Sequence, residues 1–125
     1  MRHDNSLEPR VYEVAILVVG AHWEAQFEWF AHERIARKAG VNEQACPLMK
    51  VLAPVEELQG VLAADELAVY ALALELMQSK RVSAGTYAAT KAALGGSDQK
   101  MADLCMTMGD RRNPNGRAPR SMAPP

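Results

Sequence analysis

Residues 23–40 read WEAQFEWFAHERIARKAG, and this stretch predicts an α-helix over Trp23–Ala39. An acidic residue, Glu24, lies near its start, and three basic residues lie near its end: Arg34, Arg37 and Lys38. Both placements complement the helix dipole. Gly40 follows directly, where a residue in the left-handed conformation commonly ends a helix.

One stripe of the predicted helix combines apolar and ionisable residues. Steps of three and four residues place Ala25, Glu28, Trp29, His32 and Ala36 on a common face. Glu28 and His32 are therefore neighbours. They can be an i,i+4 pair on a half-exposed face, which stabilises a helix by a few tenths of a kcal/mol. Alternatively, they can be acid–base groups, since a carboxylate beside a histidine holds one tautomer of the ring.

The rest of the chain predicts further helices. The segment Ser6–Gly20 starts with Ser6 as a cap and Pro9 in the first turn, although the β-branched run Ile16–Val19 also fits a strand. Asn42 can cap a short segment that Pro47 interrupts, and Pro54 marks a loop. Three later segments are predicted to be helical, the first of them central in a bundle and the other two capped by serine: Ala64–Gln78, Ser83–Leu94 and Ser97–Met108.

Packing of the first two helices as an antiparallel hairpin would bring Glu13 to the stripe that holds His32. The resulting site would lie between bundle helices, a common place for a small-molecule pocket. His22 lies at the helix junction, where it can satisfy backbone groups or line the pocket. A metal site is disfavoured, because His22, Glu28 and His32 do not share one face.

Composition limits the classes of function. The chain has 125 residues and a net charge of −1, which favours one globular domain without nucleic-acid or membrane partners. No apolar run approaches the roughly 18–20 residues of a membrane span, and the start is not a secretory signal. Cys46 and Cys105 are in no CxxC spacing, so a reducing cytoplasm is the expected compartment.

The composition changes after Gly109. Residues 110–125 contain four Arg, one Asp and four Pro, a balance of +3 against −4 for residues 1–109. Such a segment cannot bury enough apolar surface to offset its ordering entropy. The sequence therefore predicts a helical domain over residues 6–109 and a disordered basic, Pro-rich tail over residues 110–125.

Two segments carry a resemblance to a known family. EVAILVVGAHWEAQFEWFAHERIARKAGV and DELAVYALALELMQSKRVSAGTYAATKAALG resemble the carboxymuconolactone decarboxylase family, which shares its fold with AhpD-like alkylhydroperoxidases. The likeness covers roughly residues 6–108. It implies an all-α, AhpD-like bundle built on an antiparallel helical hairpin, here short at both termini relative to the family. It also implies a homo-oligomer, a trimer or hexamer, without a metal or organic cofactor.

The resemblance also implies roles for individual residues. The family's acidic residue on the first helix falls on Glu13, and its motif histidine falls on His32. In the peroxidase branch, two cysteines occupy the positions that are Ala25 and Glu28 here. A peroxiredoxin-type activity through that thiol pair is therefore disfavoured. The decarboxylase branch, which works without thiols, is favoured.

The expected function is cofactor-independent decarboxylation of a small carboxylated lactone or related acid from aromatic-compound catabolism. His32 would protonate carbon, Glu13 would orient the imidazole, and Glu28 would be a second acid–base group. The expected pocket walls are His22, Trp23, Phe27 and Trp29. Arg10 or Arg34 would bind the substrate carboxylate. The alternatives are a peroxidase and a catalytically inactive, incomplete helical subunit that folds only on association.

Overall fold

The computed structural model describes residues 5–111, and it describes side chains as far as Gly109. This part of the chain is all-α and contains no β-strand. A short 3₁₀ helix, Val55–Leu58, follows Pro54, and six α-helices make up the rest of the regular structure: α1 Pro9–His22, α2 Gln26–Ala39, α3 Ala45–Lys50, α4 Ala64–Ser79, α5 Ala84–Ala93 and α6 Asp98–Arg111. The predicted all-α helical bundle is confirmed, and the run Ile16–Val19 is helical.

α1 is the central helix of the bundle. Its residues 11–20 are all buried, and α2, α3, α4 and α6 pack around it. A helix that is apolar nearly all round must be covered on every side, which explains this position. The central position predicted for the segment Ala64–Gln78 is therefore taken by α1, whereas α4, which occupies nearly the predicted bounds, packs beside it.

The junction between α1 and α2 lies later in the chain than predicted. Ser6 does not cap α1, which begins at Pro9; the Ser6 hydroxyl instead donates to Asp103 Oδ2 of α6, and so does its backbone N–H, at 2.7 Å. The chain turns at Glu24, whose φ of 58° is left-handed, so that α2 begins at Gln26 rather than Trp23. Gly40 ends α2 with a φ of 116°, as predicted.

The later helix boundaries follow their local signals. Ser83 Oγ accepts a hydrogen bond from the Thr86 N–H, and Ser97 Oγ accepts one from the Lys100 N–H, so both serine caps are confirmed. α6 continues to Arg111, three residues past the predicted Met108. Pro47 does not interrupt α3, since it lies in the first turn of that helix, where the missing N–H costs nothing.

None of the helices in residues 5–111 is long and apolar enough to cross a membrane. Residues 1–4 and 112–125 lie outside the described part of the chain. Most of the predicted disordered tail therefore lies there too, and that expectation stays a prediction.

Candidate acid–base site

Glu13 and His32 meet between the first two helices. The Nδ1 atom of His32, on α2, lies 2.7 Å from Oε1 of Glu13, on α1. The Glu13 side chain is 6 % exposed and the His32 side chain 15 % exposed, so the contact is at the edge of the core. The predicted approach of these two residues across an antiparallel hairpin is confirmed.

Close packing of the two helices sets the register that brings this pair together. Gly20 of α1 lies against Trp29 of α2, and a Cβ at position 20 would be only 3.4 Å from Trp29 Cδ1. The indole Nε1 of Trp29 donates to the Leu17 carbonyl oxygen at 3.1 Å. Gly20 allows the two helices to approach closely, and the hydrogen bond to Leu17 holds the Trp29 ring against α1. Glu13 is two turns earlier on α1, opposite His32.

Glu28 lies on the other side of the imidazole. Its Oε2 atom is 4.0 Å from His32 Nε2, and its side chain is 33 % exposed. The predicted i,i+4 pair and the predicted contact with Glu13 therefore occur together. An ionised carboxylate can only accept a hydrogen bond, so an ionised Glu13 requires a proton on Nδ1. This leaves Nε2 as the ring atom that can take up or release a proton.

His32 opens onto a surface depression of about 510 Å³. Seven residues from the α1–α2 turn and the first half of α2 line it: Glu24, Ala25, Gln26, Phe27, Glu28, Ala31 and His32. Glu24, Gln26 and Ala31 were not among the predicted site residues. Ala31 is three residues after Glu28 and could have been added to the predicted stripe, whereas Glu24 and Gln26 lie at the turn, which helical spacing does not describe.

Only one of the four predicted wall residues lines the depression. Phe27 does so, but its side chain is 93 % exposed. Trp29 is 3 % exposed and belongs to the core, because it lies on the inward side of α2, facing Gly20. The prediction that Trp29 is a pocket wall is wrong.

His22 and Trp23 lie at the helix junction and do not line the depression. Their rings meet edge to face with centroids 5.5 Å apart. Burial lowers the pKa of His22, and the nearby charge of Lys80 lowers it further. His22, the last residue of α1, therefore packs against Trp23, and neither ring is the wall that was expected.

Neither arginine proposed for the substrate carboxylate is in the site. The Arg10 guanidinium makes two hydrogen bonds to Asp65, one to Glu66 and one to Glu8, all between 2.8 and 3.0 Å. These carboxylates raise the pKa of Arg10 above its ordinary value. Arg34 is exposed two residues after His32, and residues at that spacing do not face the same way. No described residue that lines the depression is Lys or Arg.

The cysteines lie outside the depression. Cys46 is fully buried in α3, and burial raises the pKa of its thiol. Cys105 is exposed on α6. Within the described residues, no group of three or more His, Cys, Asp or Glu side chains is placed to hold a metal ion.

No family model, curated protein or solved structure matches this chain. The likeness to the carboxymuconolactone decarboxylase family therefore stays a hypothesis that rests on the residues quoted for it.

Proposed function

We propose that the protein is a cofactor-independent acid–base enzyme of the carboxymuconolactone decarboxylase type. The observation that supports this most directly is the 2.7 Å contact between Glu13 and His32 beside an open depression. A buried carboxylate that orients a partly exposed histidine is a common arrangement for moving protons at neutral pH.

The proposed reaction is loss of CO₂ from a small carboxylated lactone or related organic acid. The bond between the carboxylate and the ring carbon breaks, CO₂ leaves, and the electron pair remains on the substrate as a conjugated enolate. Protonated His32 then transfers its Nε2 proton to carbon and becomes neutral. Solvent returns the proton to the ring.

Each polar group has a distinct part in this proposal. Glu13 accepts the Nδ1 proton, which holds the ring and stabilises the imidazolium. Glu28, 4.0 Å from Nε2, is the second acid–base group and is placed to relay a proton between solvent and the ring. Phe27 supplies an apolar wall beside them.

The test is a mass-spectrometric screen for CO₂ release from small lactone acids, followed by variants. His32→Ala should abolish release while the helical content is retained. Glu13→Gln should keep the geometry and lower the rate by a smaller factor, because only charge support is removed. His22→Ala is the matched control, since His22 lies outside the depression. Unchanged release by His32→Ala would refute the proposal.

A second prediction separates this proposal from a thiol peroxidase. Ala25 and Glu28 occupy the positions of the peroxidase thiol pair, and the buried Cys46 thiol has a raised pKa. Cys105→Ser combined with Cys46→Ala should therefore leave turnover within about twofold of the parent, since reactivity needs an accessible thiolate. Alanine is chosen at position 46 because a serine hydroxyl would be buried there. Loss of turnover in a folded variant would identify an active thiol.

A further inference from the structure

α2 exposes three large apolar side chains, of which Phe27 and Ile35 lie on its outer face and Phe30 lies to one side, with the Lys50 ammonium over its ring. Phe27 is 93 % exposed, Phe30 49 % and Ile35 47 %. The other large apolar side chains that are exposed in residues 5–109 lie singly on other elements: Val51, Tyr87 and Met106. Several such residues on one helix are typical of a surface that is covered by a partner.

The charged residues on the outer face of α2 are acidic at its amino-terminal end and basic at its carboxyl-terminal end. Glu24 and Glu28 lie at the amino-terminal end, and Arg34 and Lys38 lie at the carboxyl-terminal end. Arg37 and Glu33 are outside this face: Arg37 is 3.7 Å from Glu43, and Glu33 is two residues from Ala31, a spacing that places it on another side of the helix. The exposed face is therefore acidic, then apolar, then basic.

This pattern is self-complementary about Ala31. Phe27 and Ile35 are each four residues from Ala31, and Glu28 and Arg34 are each three residues from it, all within α2. Two copies of α2 laid antiparallel across a two-fold axis at Ala31 would bring Phe27 against Ile35 and Glu28 against Arg34, twice each. The small side chain at the centre would allow the helices to approach closely. An isologous contact requires this kind of symmetry.

We propose that the outer face of α2 binds the same face of a second copy of this chain. The contact would cover Phe27 and close the depression beside His32. It would also bring Arg34 of the second copy opposite Glu28, since both are three residues from Ala31. The second copy thereby supplies the cation that the lining of the depression lacks. This role for Arg34 rests on the proposed function, whereas the two-fold contact does not.

The contact is tested by sedimentation velocity on the full chain across a range of concentrations. The expected species is a dimer or a larger assembly with an even number of copies. Phe27→Glu should halve the mass and raise the dissociation constant at least about 30-fold, as is typical of a central apolar anchor. Met106→Glu is the matched control, because Met106 is 65 % exposed on α6. A monomer at all concentrations, or an assembly insensitive to Phe27→Glu, overturns the proposal.

Charge exchange tests the antiparallel register. Glu28→Arg alone, or Arg34→Glu alone, should raise the dissociation constant at least about tenfold, because like charges then oppose each other at both symmetric positions. The double variant should recover most of the parent affinity. Weakening by the singles without recovery in the double would show a different register and overturn the pairing about Ala31.

The outcome for the interface can be separated from that for the proposed function, because sedimentation needs no substrate. If the parent is dimeric and His32→Ala has no effect on turnover, the acid–base proposal fails and the contact stands. If a monomeric Phe27→Glu variant retains full turnover of a carboxylated substrate, the role assigned to Arg34 of the second copy fails. In that case Arg34→Ala should also leave the KM unchanged.

Discussion

Two aromatic residues of α2, two positions apart in the sequence, have opposite environments. Trp29 lies inward, against Gly20, with its indole N–H bonded to the Leu17 carbonyl. Phe27 lies outward and is almost fully exposed. Two helical positions correspond to a rotation of about 200°, so one aromatic residue belongs to the core and the other to the surface.

Substitution of these two residues should separate their roles. Trp29→Ala should reduce the free energy of unfolding by about 3–5 kcal/mol, because it removes a buried aromatic side chain and leaves a cavity. Phe27→Ala should change it by less than about 0.5 kcal/mol, as at most exposed positions. Urea unfolding of dilute protein is the measurement, since association through α2 would add stability at high concentration. Equal losses in the two variants would contradict the orientation of α2.

At the scale of elements, the α1–α2 hairpin positions the site. Its tight turn depends on the left-handed backbone of Glu24, and its far end depends on Gly40, which stops α2 beside Arg10. Between these points the register is set by the contact of Gly20 with Trp29. This register places Glu13 opposite His32, and the two side chains are then in contact.

Glycine substitutions should have opposite effects at two helix ends. Gly40→Ala should cost about 1–2 kcal/mol of unfolding free energy, because an L-residue is strained at a φ of 116°. Gly85→Ala, in the first turn of α5, should gain about 0.5 kcal/mol, because the backbone there is helical and a Cβ meets nothing within 4 Å. Thermal and urea unfolding of both variants measure this. A stabilised Gly40→Ala protein would show that α2 ends differently.

At the scale of the whole molecule, one ionic cluster joins distant parts of the chain. Arg10 at the start of α1 bonds to Asp65 and Glu66 at the start of α4, and Glu66 also accepts a hydrogen bond from the Ala63 N–H. Glu66 is 3 % exposed. The cluster therefore links α1 to α4, and removing one partner would leave a poorly solvated charge at this contact.

This cluster predicts how stability changes in acid. The Arg10 guanidinium, by its hydrogen bonds, lowers the pKa of Asp65 below the ordinary value of 3.8. A lowered carboxyl pKa contributes stability above the unfolded-state value, and that stability is lost as the pH falls through the folded-state value. The free energy of unfolding should therefore fall below about pH 4, and Asp65→Asn should reduce this fall.

The measurement is urea unfolding at a series of pH values between about 5 and 2. Asp98→Asn is the control, because the Asp98 side chain is 86 % exposed and pairs only with Lys91 of the neighbouring helix among its described contacts. The control should keep the acid-dependent loss of the parent protein. If the two variants lose stability in parallel as the pH falls, the cluster is not the source of the acid sensitivity.

The sequence by itself determined the helices and one contact of the site. The apolar spacing, the serine caps and Gly40 can each be recognised from a few neighbouring residues, because helical hydrogen bonds and caps are local. The approach of Glu13 to His32 could be predicted for a related reason: two long helices joined by a short turn pack antiparallel. Only their register then remained open, and the structure fixes it through Gly20 and Trp29.

Only the tertiary structure decided which polar and aromatic residues are available to a ligand. Arg10 looked like a cation for a substrate until α4, 55 positions later in the chain, enclosed it with carboxylates. Trp29 was expected in a pocket wall, and packing against α1 placed it in the core. Ser6 was expected to cap α1, and Asp103 of α6 took its hydrogen bonds. In each case the partner is distant along the chain, and pairing at such distances follows from packing the whole core rather than from local spacing.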